Sequence, residues 1–200
     1  MTRLGWGILA LILIGVALFG SMLRFGGPPT AAPGGAAVPA EAADAPGSVV
    51  YSGKLAVPVL GVASAALSPN YGDDRDDGAR AHTGLDIMAA GGTPVIAVAP
   101  GTVEKLFYSN GGGGITAYVR SPDRRWSYYY AHLSSYAPGL AEGQPVGPGT
   151  PIGFVGDTGN AGAGNYHLHF GVSRMQPGDS WEGGRPIDPY PLLAGGAPRR

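Results

Sequence analysis

Four histidines supply most of the chemistry this chain can offer. Two form a His-x-His pair within Tyr166-His167-Leu168-His169-Phe170. Successive side chains of a strand leave opposite faces, so both imidazoles share one face while Tyr166, Leu168 and Phe170 take the other. At ~3.3 Å per residue the two rings sit roughly 7 Å apart, so one can ligate a metal while its neighbour reaches a water that the metal activates. The other two are His82, in His82-Thr83-Gly84-Leu85-Asp86, and His132, in Tyr130-Ala131-His132-Leu133. His82 and Asp86 share parity on an extended chain, yet a straight strand separates their Cα atoms by about 13 Å. That is too far for one ion with bonds near 2 Å, unless a bend at Gly84 brings them together. The spacing alone also suits one helical face, but Ala90-Gly91-Gly92-Thr93-Pro94 ends the segment too soon for a stable helix. Read singly, each histidine segment also fits ordinary exposed strand positions.

The elements that position these residues are short strands set off by turns. Strand-like runs lie at 94–99, 102–108, 115–119 and 126–133. Pro100-Gly101, Ser109-Asn110-Gly111 with three further glycines, and Ser121-Pro122-Asp123 separate them. A turn at 146–153 leads into Phe154-Val155-Gly156, and a glycine-rich loop at 159–165 precedes the His-x-His strand. Residues 55–62 read as a leading strand that Pro58 confines to an edge. Trp181 and residues 186–190 are expected to wrap back over the core. Successive hairpins at this spacing predict an all-β fold of antiparallel sheets.

Asp73-Asp74-Arg75-Asp76-Asp77-Gly78 gathers four carboxylates, but it lacks the spacing and closing glutamate of an EF-hand loop, which favours a solvated loop beside the groove. No phosphate-loop Lys-Ser/Thr follows the glycine clusters. The chain has no cysteine, which excludes disulfides, thiolate ligands, a cysteine nucleophile and lipid attachment through cysteine. A formal net charge of −1 gives no footprint for nucleic acid. Glycine and proline, 36 and 19 of 200 residues, lie largely between apolar runs, as a turn-rich β domain needs.

Residues 4–23 form an almost unbroken apolar run between Arg3 and Arg24. At 1.5 Å per residue it is long enough for a hydrocarbon core of roughly 30 Å. Its length favours an uncleaved anchor over a signal peptide, although small-residue sites at 36–38 and 40–42 leave cleavage open. The expected organisation is an anchor or signal segment at 1–24, an Ala/Pro/Gly-rich linker at 25–48, a catalytic domain at 49–194 and a loose tail at 195–200.

Residues 57–62, 82–103, 128–140, 148–162 and 167–170, taken together and in this order, resemble the lysostaphin-type (LytM-like) zinc metallopeptidases, which cleave peptidoglycan peptides. The resemblance covers about residues 55–193. It implies a barrel-sandwich-like domain with a metal-binding groove, in which His82, Asp86 and His169 match the zinc ligands. His132 and His167 match the two non-ligand histidines that contact the water and the developing oxyanion. The implied function is a zinc-dependent endopeptidase acting on peptidoglycan stem peptides or cross-bridges in the cell envelope. The domain then lies outside the cytoplasm and is held to the membrane by the N-terminal segment. Many relatives carry proline before the His-x-His pair where this chain has Tyr166, which bears on the groove wall. Tyr128, Tyr130 and Tyr166 are candidate groove walls or sheet-packing residues. A non-catalytic cell-wall-binding module that activates another hydrolase is the alternative, and a regulatory partner is compatible with either. A phosphate-accepting carrier domain of related architecture fits poorly with export.

Overall fold

The computed structural model describes residues 55–75 and 78–195. The apolar run at 4–23, the linker at 25–48, Asp76, Asp77 and residues 196–200 lie outside the described residues. Among those described, no helix is long and apolar enough to cross a membrane.

Two short strands, β1 (Asp74–Arg75) and β2 (Arg80–Ala81), pair as a separate hairpin. The main sheet is built from β3 (Leu85–Met88), β4 (Pro94–Ile96), β5 (Gly101–Ser109), β6 (Gly114–Arg120) and β7 (Trp126–Tyr136). It is completed by β8 (Pro145–Val146), β9 (Pro151–Val155), β10 (His167–Arg174) and β11 (Arg185–Ile187). Its path runs β11-β10-β7-β6-β5-β8, with β3 added to β10, and β9 joining β7 to β4. Every pairing is antiparallel, as the hairpin spacing predicts. A short helix α1 (Tyr190–Ala194) closes the domain, with Gly195 as its left-handed cap at φ +74°.

The pleat divides the central strands into two faces. Val103, Ala117, Val119, Tyr128, Tyr130, Leu168, Phe170 and Val172 are buried together in one core. The Tyr130 hydroxyl is satisfied there by accepting the Val98 N–H at 3.2 Å. The alternate positions Tyr118, Tyr129 and His169 face the other way and stay partly exposed.

Several expectations need correction. Residues 55–62 make only one bridge, Val59 to Val95, since Pro58 offers no N–H and Gly61 turns the chain at φ +81°. The turn before Phe154 is shorter than read, because β9 already begins at Pro151. Of the two readings offered for Tyr128 and Tyr130, sheet packing holds, since both are core residues. Tyr166 precedes β10 and escapes its alternation, remaining 42% exposed with its ring against Gly91. Trp181 packs on Tyr118 and Phe107 at the face opposite the core, whereas Ile187 and Tyr190 do pack on the core.

Phe170 is fully buried, with its ring centroid 5.3 Å from that of Tyr130. Phe170→Ala should lower the unfolding free energy by about 3–5 kcal/mol, the usual result of emptying such a site. Denaturant titration monitored by circular dichroism measures this.

Candidate metal centre

The bend at Gly84 decides how His82 reaches Asp86. His82 lies two residues before the bend at Gly84 and Asp86 lies on β3, so the pair stands on a bent extended chain rather than a helix. β3 pairs with β10 in a register that sets Asp86 directly opposite His169. The outcome is a triangle in which His82 Nε2, Asp86 Oδ1 and His169 Nδ1 are each 3.0 Å from the other two. Gly84 sits beneath it. A Cβ there would lie 2.5 Å from His169 Nε2 and 2.8 Å from the Phe170 carbonyl oxygen, so glycine serves the close approach of the ring. Its φ is not in the left-handed region.

Asn70 fixes both ends of this segment. Its backbone carbonyl accepts His82 Nδ1–H at 2.7 Å, which leaves His82 Nε2 as a lone pair aimed into the triangle. Its side-chain oxygen accepts the Asp86 N–H at 3.2 Å. Burial raises the Asp86 carboxyl, but its close contacts with the His169 and His82 rings outweigh this and hold it well below the usual carboxylate range. Burial lowers the His169 imidazole against the pull of Asp86.

The donor set suits a small divalent cation. Two imidazole nitrogens and one carboxylate oxygen converge at separations close to the ~3.3 Å edge of a tetrahedron with bonds near 2.0–2.1 Å. These three residues form the metal-capable group among the described residues.

His132 and His167 face the same point. His167 Nδ1–H donates to the Asn165 carbonyl at 2.8 Å, and its Nε2 lies 3.8 Å from Asp86 Oδ1. His132 occupies a break within β7. Residues 126–131 pair with β10 while residues 133–136 pair with β9, and His132 between them adopts φ +59°. Its Nδ1–H donates to the Thr158 carbonyl at 2.8 Å, and its backbone N–H donates to the Gly113 carbonyl at 2.7 Å. Thr158 Oγ1 in turn donates to the Leu133 carbonyl and accepts the Ile115 N–H. Burial pushes the His132 ring down to about 4, so it is a neutral base at physiological pH. The two rings stand 4.7 Å apart.

The five residues line one cleft of about 410 Å³ with Arg75, Arg80, Gly112, Gly113, Tyr129 and Asn160. The glycine loops border it, and Gly114 and Gly159 are glycines because the loops pack backbone to backbone. A Cβ on Gly159 would meet the Gly112 carbonyl at 2.1 Å.

The sequence profile of peptidase family M23 matches residues 80–189, a span that holds all five residues. The chain belongs to peptidase family M23. Among curated relatives of this M23 domain, the L-Ala--D-Glu endopeptidase of Bacillus subtilis is 36% identical over 129 residues, covering 62% of this chain and 38% of that protein. The DD-carboxypeptidase/endopeptidase Mpg of Neisseria meningitidis serogroup B is 41% identical over 91 residues, 46% of this chain and 20% of that protein. The chain therefore spans well under half the length of either. Among solved structures, the catalytic domain of lysostaphin from Staphylococcus simulans superposes with a TM-score of 0.53 at 31% identity, covering 63% of this chain and 90% of that one. Helicobacter pylori Csd3 gives a TM-score of 0.54 at 27% identity, over 70% and 35% of the two chains.

Residues that the sequence did not single out also contact the site of the M23 domain. Arg75, on β1 in the acidic segment, brings Nη2 to 2.5 Å from Asp86 Oδ2, the carboxylate oxygen outside the triangle. The guanidinium thus leaves Oδ1 as the oxygen presented to a cation. Tyr129 and Thr158 were likewise unmarked; only their places beside His132 on β7 and after the Gly156 turn hinted at them. Partners that orient metal ligands commonly contribute 10–100-fold in affinity. Arg75→Ala should weaken divalent-cation binding by roughly that factor, while Arg75→Lys retains part of it. Competition against a chromogenic chelator measures both.

Proposed function

We propose that the chain is a zinc-dependent endopeptidase that hydrolyses peptide cross-links of bacterial peptidoglycan. The observation that carries this reading is the triangle of His82, Asp86 and His169, faced across one cleft by the imidazoles of His132 and His167. His82 Nε2, Asp86 Oδ1 and His169 Nδ1 would hold the zinc, a nitrogen-rich three-residue set typical of catalytic rather than structural sites. When bound, zinc acts as a Lewis acid towards the scissile carbonyl and brings the pKa of water from 15.7 towards about 7.

The chain's own residues supply the proton steps. His132 and His167 both bond Nδ1–H to backbone carbonyls, so each presents Nε2 to the cleft. One Nε2 accepts the proton of the attacking water and returns it to the leaving amine. The other ring, once protonated at Nε2, donates to the oxygen that becomes negative in the tetrahedral intermediate. Peptidoglycan as substrate is supported by the similarity to the Bacillus L-Ala--D-Glu endopeptidase and the Neisseria DD-carboxypeptidase/endopeptidase. That substrate lies outside the cytoplasm, and the apolar run at 4–23 is suited to hold the domain there, in the cell envelope, with residues 25–48 as tether.

Metal content and hydrolysis of purified sacculi, measured on the same preparations, test the assignment. His169→Ala should lose tight zinc binding. His132→Ala should retain near-stoichiometric zinc while its rate falls by roughly 10²–10⁴, the scale of a lost acid–base or oxyanion contact. His167→Ala should follow the same pattern. The parent should release new amino termini from stem peptides; the appearance of reducing sugar ends alone would make the enzyme a glycosidase and overturn the proposal.

A further inference from the structure

Beyond the cleft, the aromatic side chains of the outer sheet face form a continuous strip. Tyr129 lines the cleft, with its ring 5.8 Å from His169 on one side and 4.6 Å from Tyr118 on the other. Tyr118 is the directly paired neighbour of Tyr129 across β6 and β7. Trp181, from the β10–β11 connection, stands edge-on against Tyr118 at 4.8 Å and reaches Phe107 of β5 at 5.2 Å. The rings therefore cross the strands from β10 to β5 on the face that the core does not occupy. None belongs to the main hydrophobic cluster, none is buried, and Phe107 is 40% exposed. This partly accessible aromatic surface is continuous with the polar cleft.

The chemistry of the strip selects its ligand. Backbone groups of β5, β6 and β7 beneath it are paired within the sheet. An extended peptide would find few free N–H or C=O partners there. What the strip offers is partly exposed aromatic rings, whose faces carry negative quadrupoles, together with the hydrogen-bonded Tyr118 and Tyr129 side chains. A pyranose ring is complementary to this: one face is a sheet of C–H bonds, and its rim carries hydroxyl and acetamido groups. We propose that Phe107, Trp181, Tyr118 and Tyr129 form a saccharide platform. It binds the amino-sugar strand from which the stem peptide branches and delivers that peptide to His132, His167 and His169. This rests on the peptidoglycan reading above.

The test compares one cross-linked stem peptide in two forms, with its amino sugars attached and with them removed. It uses the zinc-loaded full-length chain in detergent, its Trp181→Ala, Phe107→Ala and Trp181→Phe variants, and circular dichroism to confirm folding. The parent should favour the sugar-bearing form through KM. Trp181→Ala and Phe107→Ala should raise KM for that form roughly five- to tenfold, the scale of one lost aromatic contact. Their kcat, and cleavage of the sugar-free form, should hold, and Trp181→Phe should keep most of the preference. Equal losses on both forms, or no loss on either, overturn the platform. If the parent cleaves neither form, the peptidase reading fails by itself. Calorimetric titration with soluble oligomers of N-acetylated amino sugars then decides the platform separately. Binding that Trp181→Ala abolishes upholds it, and absence of binding refutes it.

Discussion

Bringing a carboxylate oxygen and two imidazole nitrogens to 3.0 Å from one another is the demand to which the rest of this domain answers. Lone pairs at that distance repel unless a proton or a cation lies among them, so the scaffold has to hold them in place. The largest contribution is strand register. Asp86 and His169 are direct partners across β3 and β10. A one-residue slip would set Leu168 against Asp86 and turn both histidines of β10 into the core. The slip is prevented by what lies on the other face, where Leu168, Phe170 and Leu85 are fully buried. The core thus stabilises the fold and sets the geometry of the site through the same side chains.

His132 is held by a different device. A non-glycine residue at positive φ is strained, and strain of this kind persists only where the surroundings over-determine it. Here two glycine loops do so. The Gly113 carbonyl takes the His132 backbone N–H, and the Thr158 carbonyl takes its ring N–H. Gly114 and Gly159 let the loops that carry these carbonyls touch, where any side chain would collide with backbone. The break in β7 lets one strand serve β10 before His132 and β9 after it, and it turns the imidazole towards the cleft.

What could be read from the sequence follows from the range of the forces involved. Alternation in 167–170 and the turn residues between strands are local signals, so the antiparallel class and the shared face of His167 and His169 were legible. The convergence of His82 and Asp86 was only half legible: glycine at 84 marked a bend, but the clearance it provides is for a ring 85 positions away. Arg75 carried no signal at all, because its partner is set by how the β1–β2 hairpin folds back, and a lone arginine among aspartates reads as a solvated loop. The tyrosines of 128–130 show the limit of parity. Alternation says that Tyr129 opposes its neighbours, but which face is the core depends on the β6 and β10 partners. That assignment put Tyr128 and Tyr130 inside and left Tyr129 at the cleft.

The way the imidazoles are oriented bears on what the cleft can do. His82, His132 and His167 each place Nδ1–H on a backbone carbonyl, of Asn70, Thr158 and Asn165 respectively. A carboxylate in those positions would stabilise the imidazolium and raise its pKa, whereas a carbonyl fixes ring and tautomer with no net charge. Among the described residues, one carboxylate is in contact with the cleft histidines, Asp86, and that one is shared with Arg75. Burial prevails at His132 over the pull of Asp86 and leaves it neutral at pH 7. A ring that is neutral, aimed and short of counter-charge takes up a proton only when negative charge develops beside it. Under the proposed peptide hydrolysis that moment would be the attack on the carbonyl, and the arrangement of backbone carbonyls would then favour the transition state over the resting site.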